Sequence, residues 1–162
     1  MDQFSEAAYN LLTIAAGDLR GAVTGLSVAQ LNGIPCADTS SLAVLVAHAT
    51  TSTRALLTAA VTGRRDRERY RTEERVPAFA IRDADEARLM ALLDQLDAAI
   101  GRLPADAPAD SYAGTIAETG GDGGPPTSRA QTLILAVAHL REHVGHAQLT
   151  RQLIDAGVLA PG

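Results

Sequence analysis

Lysine and tryptophan are absent from this chain of 162 residues. Arginine therefore carries the side-chain positive charge, and no segment holds the Gly-rich run ending in Lys and Ser or Thr that a phosphate-binding loop requires. Aromatic residues are scarce: Phe4, Phe79, Tyr9, Tyr70 and Tyr112 are all there are. Alanine, leucine and valine must fill the interior, which favours closely packed helices over sheets rich in aromatic side chains. Cys36 is the single cysteine, so no intrachain disulfide can form. Basic charge does not dominate either. A net charge of −5 argues against nucleic acid as a partner, because a basic surface supplies most of that affinity. The opening residues Met1-Asp2-Gln3-Phe4 lack the basic and apolar regions of a signal peptide. No uninterrupted apolar run approaches the roughly 20 residues that span a bilayer. The expectation is a soluble cytoplasmic protein without a membrane partner, folded as one domain over residues 1–162.

What is present is helical periodicity. Phe4, Ala8, Leu11, Leu12, Ala15, Leu19 and Val23 recur at helical spacing, predicting a helix from about Phe4 to Thr24. Gly25 and Asn32-Gly33-Ile34-Pro35 end it and form a loop. A second helix starts near Thr39-Ser40-Ser41, which are good N-caps, and runs to Gly63. A polar stretch from Arg64 to Asp83 leads to a third helix, Ala84 to Leu103, whose stripe is Leu89, Leu92, Leu93, Leu96 and Ile100 and which Pro104 closes. A loop follows from Ala105 to Pro126. Its Gly120–Pro126 run cannot continue a helix and reads as a flexible connection or a lid. The fourth helix opens with a capping box, Ser128 with Gln131, and ends before Gly157. Four long helices with one apolar face each imply an all-α, four-helix bundle with long connections, whose order and handedness the pattern leaves open.

The histidines stand out against this background. His139, His143 and His146 fall on one helix within an arc of about 60°. His48, far upstream, shares a face with Val44, Leu45, Ser52, Ala55 and Ala59. His139 and His143 share theirs with Leu135, Ala136, Leu140 and Ala147. Imidazole is the commonest metal ligand, and several imidazoles facing one another without a metal would be a costly cluster of unpaired polar groups. The pattern points to a divalent metal held inside the bundle by His48, His139 and His143. The pair His143 and His146, at i and i+3, is a geometric alternative. Otherwise His146 orients a ligand or contacts another subunit, and Glu142 is either a hydrogen-bond acceptor behind the ligands or a partner in a surface salt bridge.

These two segments resemble the DinB-like superfamily of metal-binding four-helix proteins. The second helix of that family carries a His in an apolar stretch such as Ser41-Leu-Ala-Val-Leu-Val-Ala-His48, and its last helix a His-x-x-x-His pair followed by Gly, here His139-x-x-x-His143-Val144-Gly145-His146. His146 stands where the family commonly has Gln. Mycothiol-dependent isomerases among the relatives have Glu in place of His139, and the run from Glu142 to Arg151 is similar to a subgroup with an Arg-His-x-Gly-His-Ala-Asp signature. The resemblance implies three protein ligands with open coordination positions facing a pocket. It implies zinc, or alternatively nickel, activating a low-molecular-weight thiol such as mycothiol or bacillithiol. It further implies transfer to, or isomerisation of, a small electrophile, and homodimers paired through helix faces. The alternatives are a bundle that binds metal or a small molecule without turnover, and an interaction protein without metal.

The remaining motifs carry less chemistry. Cys36 has no basic neighbour to activate it and reads as a bystander. The run Arg64 to Arg75 mixes six Arg with four acids and reads as a solvated, salt-bridged connection, although some of these Arg suit a carboxylate or phosphate on a substrate. No Ser-His-Asp or Gly-x-Ser-x-Gly pattern occurs, and the Glu-x-x-His pairs of di-iron bundles are missing.

Overall fold

A computed structural model of the protein describes residues 3–106, 112–120 and 126–158. Helix α1 (Gln3–Val23) buries Ala8, Leu12, Ala15, Ala16, Leu19, Ala22 and Val23. Phe4 and Leu11, expected in its apolar stripe, are 39% and 49% exposed. Leu11 lies about 80° from the centre of the buried face, and α1 packs on only two long helices, so the edge of its stripe stays in water. Gly25, at φ 76°, ends the helix in the left-handed region that favours glycine. The following segment is not all loop: α2 (Val28–Asn32) is a short helix with a reciprocal capping box between Ser27 and Gln30.

Helix α3 (Leu42–Thr62) begins where expected, with Ser41 capping Val44 N–H and Gly63 closing the other end at φ 68°. Its length and mean hydropathy of 1.2 would also suit a membrane span, but 67% of that window is buried among the other helices. The polar stretch after it is ordered. It comprises β1 (Arg64–Asp66), α4 (Arg67–Arg69), a π-helical turn (Tyr70–Arg75) and α5 (Val76–Phe79). Asp66 caps the Arg69 N–H, Tyr70 meets Ser52 of α3, and exposed ion pairs at helical spacing, Arg69 with Glu73 and Arg71 with Glu68, lie along it. Helix α6 (Glu86–Asp106) continues past Pro104, the expected stop. The long loop contributes β2 (Ala117–Thr119), which pairs with β1 in parallel, Arg64 opposite Ala117 and Asp66 opposite Thr119. Residues 107–111 and 121–125 of that loop, including most of the Gly/Pro run, lie outside the described residues. Helix α7 (Arg129–Asp155) opens on the Ser128–Gln131 capping box, and Gly157 follows it at φ 73°.

Helices α6 and α7 each pack against both α1 and α3. The order around the bundle is therefore α1–α6–α3–α7, with α1 diagonal to α3. The core between them is aliphatic: Leu12, Leu19, Leu42, Val46, Leu89, Leu93, Leu96, Leu133 and Leu140 are fully buried. One polar contact sets the register of α3 against α7. The Arg129 side chain donates to the carbonyl oxygens of Ala60 and Val61, which the last turn of α3 leaves without helical partners. The two helices are thus antiparallel. At 1.5 Å per residue, His48 and the span from His139 to His143 both lie about 18 Å from that contact, face to face.

Candidate metal centre

The structure brings together the three histidines that the sequence singles out. The rings of His139 and His143, one turn apart on α7, have centroids 4.4 Å apart at 88°. From α3, His48 meets them at 5.4 Å and 4.9 Å, again nearly perpendicular. One nitrogen from each ring lies within 4.8 Å of the other two. Ligands about 2.0–2.1 Å from a tetrahedral zinc ion stand roughly 3.4 Å apart, so small ring rotations would close the set on one cation.

The hydrogen bonding of these rings supports the same use. His139 Nε2 and His143 Nδ1 are buried without a hydrogen-bond partner. Orphaned buried nitrogens are costly, and two facing one another are hard to explain as packing alone. His48 differs: its Nδ1 is 3.3 Å from the Ser52 hydroxyl, which in turn contacts the Tyr70 hydroxyl. That chain leaves Nε2 of His48 for a ligand role and fixes the ring plane.

Burial pushes the His48 imidazole down to about 4, with the charges of His143, His139 and Arg75 adding to the effect. His143 falls to about 4, first from burial and then from His139, against a weaker upward pull from Glu142. His139 is also lowered, by burial, with Glu142 opposing. All three rings are neutral at pH 7, the form in which imidazole coordinates metal. Three neutral nitrogen donors, with no acid in the cluster among the described residues, fit a borderline-soft divalent ion such as zinc or nickel.

Beside the triad lies a cavity of about 290 Å³ whose walls include His48, His139, Tyr70, Arg65, Arg75 and Leu135. Phe79 of α5 covers His48, with ring centroids 4.6 Å apart, and the Arg75 guanidinium rests 4.9 Å from the Phe79 ring centre. Leu135, expected on the buried face of α7, is 47% exposed and forms part of this wall. Ser52 was legible only as a neighbour of His48 on the helix face. The places of Tyr70, Phe79, Arg65 and Arg75 were hidden, because no apolar periodicity marks their segment.

The other candidate residues fall outside the cluster. His146 is exposed, its ring 5.8 Å from that of His143. Glu142 is exposed and makes no ion pair among the described residues; it acts on His139 and His143 through its charge. Cys36 is exposed in the turn before α3, its sulfur 3.9 Å from the Thr39 hydroxyl.

Comparison with known proteins bears on the family and the fold. The family described as the DinB superfamily matches residues 11–147. No curated protein matches the chain. A solved structure, that of a mycothiol-dependent maleylpyruvate isomerase, has the same fold, with a TM-score of 0.63 at 15% identity. The match covers 90% of this chain and 62% of that one, so the chain spans less than two thirds of the isomerase.

Proposed function

The chain belongs to the DinB superfamily, and from that premise we propose that it is a metal-dependent enzyme in which His48, His139 and His143 hold a divalent cation, zinc or nickel, and a low-molecular-weight thiol is delivered to a small electrophile by transfer or isomerisation. The observation that carries this reading is the convergence of three neutral imidazoles, two of which keep a buried nitrogen with no protein partner. When bound, a dication at this position lowers the pKa of a coordinated thiol and makes thiolate available at neutral pH.

The chain's own groups do the rest. Three protein ligands leave room for an exchangeable fourth, as catalytic rather than structural sites do. The Ser52 hydroxyl holds the His48 ring in place, with Tyr70 behind it. Phe79 covers the His48 ring on one side, and the cavity beside His48 and His139 offers space for a small molecule. Among the described residues no carboxylate lines that cavity. Thiol conjugation needs little beyond the activated nucleophile.

The test is metal analysis of the purified protein followed by conjugation and isomerisation assays with mycothiol and with bacillithiol. One metal per chain with thiol-dependent turnover supports the proposal. One metal with neither thiol binding nor turnover moves the protein to the alternative, a bundle that binds metal or a small molecule without catalysis. Homodimers are part of the same proposal. Exposed Leu11 and Ile14 on α1 and Ile134 and Leu149 on the adjacent α7 support it, and light scattering tests it.

A further inference from the structure

The six arginines of the run from Arg64 to Arg75 are not used alike. Arg69 and Arg71 pair with Glu73 and Glu68 on the surface. Arg67 takes one oxygen of Glu118 at 2.7 Å. Arg65 reaches the other oxygen of Glu118 only at 3.7 Å, an ion pair longer than a hydrogen bond, and its Nε, like that of Arg67, is buried with no partner. Arg75 meets no carboxylate among the described residues and lies on the face of Phe79. Arg65 and Arg75, ten positions apart in the chain, both line the cavity that His48 and His139 close.

Among the described residues that cavity has no acidic wall, so two guanidinium groups, that of Arg65 also facing Glu118, stand over the neutral imidazoles of His48 and His139 in a chain of net charge −5. A bound dication would raise the positive potential further. An unpaired buried guanidinium donor is costly, and an anionic ligand is what removes the cost. Resting on the metal-centre reading above, we propose that this cavity is a carboxylate subsite, in which Arg65 and Arg75 receive an organic anion whose other end faces the histidines. Carboxylate fits better than phosphate. His48 and His139 lie mid-helix, where backbone N–H groups are already bonded, so the helix N-terminus that commonly cradles phosphate is lacking on that side. The donors are planar side-chain forks, which match a carboxylate two bonds at a time. Leu56 and Leu135 supply an apolar wall for a short carbon chain.

The experiment is calorimetric titration of the full chain, as purified with its metal, at constant ionic strength with succinate, its neutral diamide and inorganic phosphate. Succinate is expected to bind and the diamide not to. Arg65→Met and Arg75→Met are each expected to weaken succinate about tenfold while metal content stays unchanged. Arg75→Lys keeps the charge and the Phe79 contact and is expected to lose less, which separates a binding role from a folding role; thermal melts of all variants accompany the titrations. Arg102→Met, outside this cavity, is expected to leave succinate binding intact. Succinate binding in both Met variants as tight as in the unsubstituted protein, equal binding of the diamide, or tighter binding of phosphate overturns the proposal. If the protein proves to carry no metal yet binds succinate in an arginine-dependent way, the metal reading fails and the subsite stands.

Discussion

The hydroxyl of Ser52 lies 3.3 Å from Nδ1 of His48, one turn away on α3, and so ties down the nitrogen that faces away from a ligand role. Groups behind a metal ligand set its tautomer and orientation, and their loss commonly costs 10–100-fold in metal affinity. Ser52→Ala is therefore expected to weaken metal binding by about tenfold or more, measured by competition with a chromogenic chelator. Tyr70→Phe, one step further out, is expected to have a smaller effect of the same sign. Wild-type affinity in Ser52→Ala would make the hydroxyl a bystander.

The orphaned nitrogen of His143 predicts a conflict between stability and binding. Replacing His143 by Leu, similar in size, removes a buried donor or acceptor that has no partner in the metal-free protein. The metal-free variant is expected to be more stable by about 1 kcal/mol, or roughly 2–4 °C in Tm for a chain of this length. The same variant is expected to lose its metal. A lower Tm, with metal retained, would show that the ring is held by packing rather than kept for a cation.

The depressed imidazoles give the metal-free protein a defined acid response. His48 and His143 are pushed from 6.5 to about 4, chiefly by burial. Between those values the unfolded chain binds protons that the folded chain refuses, so stability is complete above pH 6.5 and falls as pH drops toward 4. In denaturant titrations from pH 7 to 4.5, before most carboxylates protonate, wild type is expected to lose stability more steeply than His143→Leu. Metal binding follows the same groups: proton competition sets in near pH 4 rather than near 6.5. Metal released in equilibrium dialysis at pH 6 would contradict the neutral, buried state of the rings.

His146 completes the sequence pattern but not the cluster. Its ring neighbours His143 alone at 5.8 Å, and the side chain is exposed. His146→Ala is expected to leave metal stoichiometry unchanged and affinity within about twofold, a surface effect. Loss of metal in this variant would shift the ligand set toward the alternative pair His143 and His146.

The four long helices could be read from the chain because apolar spacing and caps agreed: Ser41, Gly63, Ser128 with Gln131, and Gly157 all stand at helix ends. The facing of His48 with His139 and His143 was legible because each shares its helix face with small and aliphatic residues, Ala59 on α3 and Ala136, Leu140 and Ala147 on α7, which the fold buries. Helix α2 left a sign that apolar spacing overlooks, the Ser27–Gln30 capping box. The turn around Tyr70 was hidden because it carries charge pairs at helical spacing, Glu68 with Arg71 and Arg69 with Glu73, and no apolar stripe. That is also why the approach of Arg65 and Arg75 to the histidines could not be foreseen. The order of the helices around the bundle depends on contacts between distant residues, and local pattern does not encode it.

Arg129 is such a contact. Its guanidinium caps the Ala60 and Val61 carbonyls at the end of α3 and so anchors the first turn of α7. Two charge-assisted bonds are lost together in Arg129→Met, and a stability loss of about 2 kcal/mol is expected in urea unfolding. The helices would still be held by their aliphatic faces, so the bundle is expected to fold. What changes is the register, because the same contact, about 18 Å along both helices, brings His48 opposite His139 and His143. Metal affinity is therefore expected to fall in Arg129→Met even though the residue is far from any ligand. Arg129→Lys, which can bond one carbonyl but not fork across two, is expected to lie between. A variant destabilised by that amount with unchanged metal affinity would show that the aliphatic packing alone sets the register.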